Sequence, residues 1–240
     1  MASLSDHVSL PMRLLAYILN FAPYSFPISY PFAPFTMSDT INRYFIINKP
    51  YNMVSQFVSP DDVRLLGALG YDFPEGIHAI GRLDNLSEGL LILTTNKRVT
   101  KLLFQGEMPH KRTYLVRVRH VVNQESLQKL QTGVTIRIKG DINYTTPPCD
   151  VKIIEEPANL FPHQMESREY VPHSWLSITL TEGKFHQVRK MVDAVHHRCK
   201  RLIRTSIEDL ELGDLPPGDI REIEEEDFFA KLKITNWREQ

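Results

Sequence analysis

Residues 81–94 read Gly81-Arg82-Leu83-Asp84-Asn85-Leu86-Ser87-Glu88-Gly89-Leu90-Leu91-Ile92-Leu93-Thr94. Two regimes meet inside this stretch. Gly89 to Thr94 is a continuous apolar run of the length a fully buried strand takes. Ahead of it, a short polar segment lies between two glycines, so a loop is anchored on a rigid element, and loops held that way often carry function. If the segment is extended, Arg82 and Asp84 share one side and Leu83 takes the other. A carboxylate against an apolar wall, with a cation near enough to keep it ionised, is a candidate nucleophile or base. The same aspartate could instead cap a turn or pair with Arg82 structurally, and spacing alone does not choose between these.

Working outward, Arg43 to Asn48 (RYFIIN) reads as a strand ended by Lys49-Pro50. Ser59 followed by Pro60, Asp61 and Asp62 predicts a short helix to about Leu69. Asn96 can cap a helix through Leu103, and Thr113 to Arg119 alternates at period two, as a half-buried strand does. Asn123 caps a second helix with Leu127 and Leu130 inward and Gly133 as its stop. Further strands are expected near 134–138, 150–155 and 174–181. Pro157 to Pro172 lacks periodicity and reads as a long loop or insertion. Val188, Met191, Val192 and Val195 recur at i, i+3, i+4 and i+7, which marks an amphipathic helix. Strands and helices alternate without regular βαβ spacing, so the expected class is α+β with a large mixed or antiparallel sheet.

With 240 residues, the chain can bury a sizeable core as one large domain or two small subdomains. Its two cysteines, Cys149 and Cys199, stand far apart, which suits a reducing cytoplasm rather than a disulfide framework. Residues 1–40 are expected to be a poorly ordered extension, and Met37 is a candidate alternative start. Their longest apolar run, Leu14 to Phe21, is far shorter than the roughly 20 residues of a membrane helix. The core domain is expected over 41–230, with 231–240 as a tail. A net charge of −1 hides a segregation: Lys97 to Arg119 carries +6, Thr181 to Arg204 carries +5, and Thr205 onward carries −7. Basic stripes on an acidic body suit a nucleic-acid partner, although any one cluster could be a solvated face.

Two further stretches can carry chemistry. In Thr181 to Met191 (TEGKFHQVRKM), glycine breaks a strand and a helix opens beside cations, a favourable place for phosphate. In Lys111-Arg112-Thr113-Tyr114, a tyrosine at a strand start can stack on an exposed base while the cations hold phosphates. His186, His196, His197 and Cys199 do not suit a metal site, because adjacent helical histidines point about 100° apart. No G-x-G-x-x-G, phosphate-binding loop or serine elbow occurs.

Taken together, these stretches resemble the ribosomal small- and large-subunit pseudouridine synthase family over about residues 43–223. The G-R-L-D signature matches Gly81 to Asp84, K-x-x-Y matches Lys111 and Tyr114, and E-G-x-x-x-Q-V-R matches Glu182 to Arg189. Asn48-Lys49-Pro50, Arg201-Leu202-Ile203-Arg204 and Leu212-Gly213-Asp214-Leu215 also match. Glu156-Pro157-Ala158 and Pro172 to Leu176 look most like the E-type large-subunit branch. The resemblance implies a pseudouridine synthase fold, with a mixed central sheet flanked by helices and an active-site cleft between two subdomains. It also implies a cofactor-free isomerisation of a uridine in ribosomal RNA, on a structured stem or loop, by a cytoplasmic monomer. The alternatives are a transfer RNA substrate and a non-catalytic RNA-binding or ribosome-assembly factor with the same fold. Asp84 would act at C1′ as nucleophile or at C2′ as base, Tyr114 would stack on the base, and Arg189 would pair with Asp84. Arg82 would hold the loop or the RNA backbone, and Leu202 would give apolar cover. The residues expected to touch RNA are Lys49, Lys111, Arg112, Lys184, Gln187, Lys190, Lys200 and Arg204, with no metal ligands. The chain departs from many relatives at Lys184, Phe185 and His186, where those carry basic or amide residues.

Overall fold

A computed structural model describes residues 41–106, 108–138, 140, 142–163 and 171–238. The expected N-terminal extension lies outside the described residues. The strands are β1 (Tyr44–Lys49), β2 (His78–Ile80), β3 (Glu88–Thr94), β4 (Arg112–Arg119), β5 (Thr135–Arg137), β6 (Asn143–Thr145), β7 (Asp150–Ile154), β8 (His173–Leu180), β9 (Cys199–Ile207), β10 (Leu210–Glu211) and β11 (Ile220–Ile223). The helices are α1 (Val99–Phe104), α2 (Gln124–Thr132), α3 (Gln187–Ala194) and α4 (Glu225–Lys231). Among the described residues, no helix is long and apolar enough to cross a membrane.

One sheet runs in the order β11-β1-β3-β9-β4-β8-β7, with β2 paired to β3, β10 paired to β9, and β5–β6 a separate hairpin. All pairings are antiparallel except β3 with β9. The class is therefore α+β with a mixed sheet. Every residue of β1 and β3 is buried, because the two faces of this half pack separate apolar layers. Ile46, Leu90 and Ile92 pack against α1 and α4, while Phe45, Ile47, Leu91 and Leu93 pack against Met53, Leu66 and Leu83. The other half buries Val116, Val118, Leu176 and Ile178 under α2 and α3. The two expected subdomains thus share one continuous sheet. They join where β3 meets β9 through two parallel pairs, Glu88 with Ile203 and Gly89 with Arg204.

Local signals explain most ends. The Asn123 side chain accepts from Ser126 N at 2.8 Å, and α2 stops at Gly133 with φ of 112°. Asn96 Oδ1 accepts from Arg98 N at 3.0 Å just ahead of α1.

Two expectations fail, and one central strand was not foreseen. The helix expected from Ser59 shrinks to a 3-10 turn at Leu66–Leu69. Ser59 Oγ does accept from Asp61 N at 3.1 Å, but the chain then pairs back, with Val54 N donating to Arg64 O and Leu66 N to Gln56 O. The expected boundary at residue 230 falls inside α4, and residues beyond it belong to the core. Leu232 and Ile234 are buried, and the Trp237 ring stacks on Phe229 at 4.4 Å. Finally, β9 was not expected, because its sequence carries Lys200, Arg201 and Arg204. Within the long loop, 157–163 and 171–172 have no regular structure, yet Leu160 packs on the core and residues 164–170 lie outside the described ones.

Candidate active site

Gly81, with φ of 68°, turns the chain out of β2 and starts the loop that leads into β3. Leu83 is driven into the apolar layer under β1 and β3, and Ser55 fixes it there. Leu83 N donates to Ser55 Oγ, which donates to Leu83 O, both at 2.9 Å. With Leu83 pinned inward, Arg82 and Asp84 face outward into a shared cavity of about 260 Å³. Ser87 N closes the turn on Asp84 O at 3.0 Å. The backbone of Asp84 is therefore held at both sides by bonds that do not involve its carboxylate.

The second wall is the segment between β8 and α3. The Glu182 carboxylate accepts from Gln187 Nε2 at 2.6 Å and from the Tyr144 hydroxyl, while Gln187 Oε1 accepts from Lys184 N at 2.8 Å. These bonds tie 182–187 into a closed loop against the β5–β6 hairpin. His186 adopts φ of 54°, stacks on Phe185 at 3.9 Å, and places Nε2 3.4 Å from Asp84 Oδ1. The third wall is Arg112 and Tyr114 from β4 with Leu202 and Arg204 from β9. Tyr114 is half-buried and packs against core layers of both sheet halves. The Arg112 guanidinium lies 5.1 Å over the Phe104 ring, a cation–π contact that keeps this cation at the cavity wall.

Of the expected residues, Asp84, Arg82, Tyr114, Leu202, Arg112, Lys184, Gln187 and Arg204 line this cavity, and Lys49, Lys111, Arg189, Lys190 and Lys200 do not. Several of the expected roles need correction. Arg189 does not pair with Asp84. Its Nη2 donates to Leu86 O at 2.7 Å and to Ser87 Oγ at 3.3 Å, so it clamps the loop just after the aspartate. The carbonyl ending the turn lies in its path, whereas Asp84 is met by His186.

Lys49 is not an RNA contact. It is fully buried beneath the loop, where Nζ donates to Pro50 O at 2.9 Å, Met53 O at 2.6 Å and Asn85 O at 3.4 Å. Burial pushes its ammonium down to about 7, partly opposed by the charges of Glu88 and Asp84. Gln187 is buried with both ends of its amide engaged, so it builds the wall rather than reading a base. Arg204 is buried too, its Nε donating to Leu90 O at 2.8 Å. Lys111 and Lys200 are exposed, Lys184 sits 4.8 Å over the Tyr144 ring, and Lys190 sits 5.2 Å over Phe185.

Sequence reasoning missed two features. Glu88 and Arg201 form a buried ion pair at 2.9 and 3.1 Å, beside the β3–β9 junction. The hint was a glutamate directly ahead of an apolar run. His186, weighed as a metal ligand and as a departure from the family motif, is the ionisable side chain that meets Asp84. Nothing in its spacing signals this, because the contact crosses from one loop to another.

Comparison with known proteins places this geometry. A family profile described as RNA pseudouridylate synthase matches residues 43–194. Ribosomal large subunit pseudouridine synthase E of Vibrio parahaemolyticus is 36% identical over 188 residues, covering 78% of this chain and 76% of that protein. Ribosomal small subunit pseudouridine synthase A of Escherichia coli is 28% identical over 189 residues, covering 78% and 73%. A crystal structure of a pseudouridylate synthase superimposes with a TM-score of 0.65 at 25% identity, covering 80% of this chain and 74% of that one. The mixed sheet, the loop carrying Asp84 and the matched span agree: this chain belongs to the RNA pseudouridylate synthase family.

Proposed function

We propose that the protein isomerises a specific uridine in ribosomal RNA, on the large subunit, with Asp84 as the catalytic carboxylate. The observation that carries this reading is the convergence of Asp84 with Tyr114 and Leu202 on one cavity at the junction of the two sheet halves. The large-subunit assignment rests on relatives such as the Vibrio protein, whose name states that substrate.

Each wall has a part. Tyr114 offers an aromatic face on which a uracil stacks, and Leu202 excludes water from the reacting face. Arg82 and Arg112 supply positive charge on the cavity wall that favours the phosphates flanking the target. A cavity of about 260 Å³ suits one flipped-out nucleotide. Flipping costs a few kcal/mol, offset by stacking and pocket contacts. Asp84 then attacks C1′ or takes the C2′ proton, the C1′–N1 bond breaks, and the uracil turns to present C5 to C1′. Arg189 acts one step removed, keeping the carbonyl and hydroxyl at 86–87 in place so that the turn beginning at Asp84 does not relax.

Mapping pseudouridine in ribosomal and transfer RNA from cells with the protein, without it, and with Asp84→Ala tests this. One ribosomal site should vanish in both altered strains. Loss of a transfer RNA site alone would replace the substrate, and no site dependent on Asp84 would remove the enzymatic reading.

A further inference from the structure

We infer that His186 is a catalytic residue of this reaction, taking the proton that must leave C5 of the uracil after the new carbon–carbon bond forms. The inference rests on the reading of Asp84 given above. Joining C5 to C1′ leaves C5 carrying both its hydrogen and the sugar, with a C6=N1 double bond. To finish, the C5–H bond breaks and its electron pair makes C5=C6. The C6=N1 pair moves onto N1, which takes a proton. One proton therefore travels from C5 to N1, and a side chain that accepts and returns it completes the balance.

The geometry points to His186 as that group. Whichever oxygen of Asp84 serves C1′ or C2′ must lie about 3–3.5 Å from the reacting atom. His186 Nε2 is 3.4 Å from Asp84 Oδ1. C5 is one bond beyond C1′ in the product, so a base beside the aspartate lies on the same cavity wall as the atoms being joined. At that moment Asp84 is a free carboxylate again, and it faces the imidazolium that forms when Nε2 takes the proton. Of the other groups on the cavity wall, the Tyr114 phenol is the rival acceptor, and it is assigned to stacking on the base. Arg82, Arg112 and Arg204 are cations with no acceptor. The Glu182 carboxylate is occupied by Tyr144 and Gln187.

The backbone supports a dedicated role. His186 holds φ of 54°, in the left-handed region that non-glycine residues adopt uncommonly. Its ring is fixed by stacking on Phe185 at 3.9 Å, and it remains partly exposed to the cavity. Imidazole is the side chain that accepts and returns protons near neutral pH.

The test uses the full chain with transcribed, unmodified large-subunit ribosomal RNA, carrying either hydrogen or deuterium at uracil C5. His186→Asn tolerates the same backbone and lacks the acceptor, and His186→Gly leaves room for added imidazole. Both should bind the RNA as the parent does and slow turnover by about 10²-fold or more. Both should also show a primary C5–deuterium isotope effect larger than the parent's, and imidazole should speed the glycine variant. Parent-like turnover by His186→Asn, or slowing with no added isotope effect, overturns the role. So does an isotope effect that appears in Tyr114→Phe and not at His186. If the parent makes no pseudouridine on this RNA, the substrate reading has failed instead, and that is visible before any variant is compared.

Discussion

Replacing Gly89 with alanine should damage stability and catalysis together, because this residue sits at the β3–β9 junction. Its φ is +99°, and a Cβ built there falls 2.3 Å from Arg204 O, 2.8 Å from Arg204 N and 2.9 Å from Ile203 Cγ2. The two nearest of these atoms are backbone, so neither can swing aside as a flexible side chain would. The unfavourable φ costs about 1–2 kcal/mol. Forcing the strands apart adds about 1–3 kcal/mol, the usual penalty for overpacking. The sum, about 2–5 kcal/mol, is a large part of the 5–15 kcal/mol typical of a folded domain. Movement of β3 also carries Asp84 away from Leu202 and Arg204, so kcat should fall in the protein that remains folded. Urea unfolding followed by tryptophan fluorescence gives the first quantity, and single-turnover pseudouridine formation gives the second. Two other glycines serve as controls. A Cβ at Gly67 meets nothing within 4 Å, so Gly67→Ala should change little. At Gly133 the φ is +112° and a Cβ meets Thr146 O at 2.2 Å, so Gly133→Ala should destabilise as Gly89→Ala does. If Gly89→Ala unfolds at the same urea concentration as Gly67→Ala, the reasoning about the junction is wrong.

Other variants probe different parts of the structure. Glu88→Gln removes the buried carboxylate that accepts from Arg201 Nε and Nη2, which should cost about 3–5 kcal/mol in chemical denaturation. A loss under about 1 kcal/mol would mean that the pair is not buried as described. Lys200→Ala should weaken RNA binding and reduce the salt slope by about 1 without changing stability, since its side chain is exposed. Lys49→Met should do the opposite, orphaning buried carbonyls at about 1–3 kcal/mol each while leaving the slope intact; a changed slope would return Lys49 to the RNA interface. Burial, only partly offset by Glu208, holds the His110 imidazole below its ordinary value. The unfolded chain therefore binds this proton first, so stability should fall as pH drops below about 6.5. His110→Gln should flatten that part of the profile, and parallel profiles would rule out the contribution.

The parts of the fold that were legible are those fixed by neighbours in sequence. The apolar run of β3, the alternation in β4, the Asn123 cap and the 3.6-residue period of α3 each report a local physical preference, and each is where it was expected. What could not be read depends on partners far along the chain. Strand β9 is central to the sheet, yet its lysine and arginines placed it in the basic stripe read as facing a nucleic acid. Arg201 is buried because Glu88, 113 residues away, neutralises it, and Arg204 because Leu90 O, 114 residues away, accepts its proton. A sequence prices each charge as though it faced water, and only the pairing reverses the sign.

The same reasoning explains the site. The Asp84 loop was legible because glycines and an apolar run frame it locally. Its cation was assigned to Arg189, and that residue lies close by but spends its donors on Leu86 O and Ser87 Oγ. The group that meets the carboxylate is His186, set there by a left-handed backbone and by the Glu182–Tyr144–Gln187 bonds that close its loop. Tyr144 is thereby a positioning residue at one remove. Tyr144→Phe should loosen that loop and lower kcat more than RNA affinity, since the hydroxyl touches Glu182 and lies off the cavity wall. If Tyr144→Phe weakens RNA binding while kcat holds, the hairpin contacts RNA directly and the positioning argument fails.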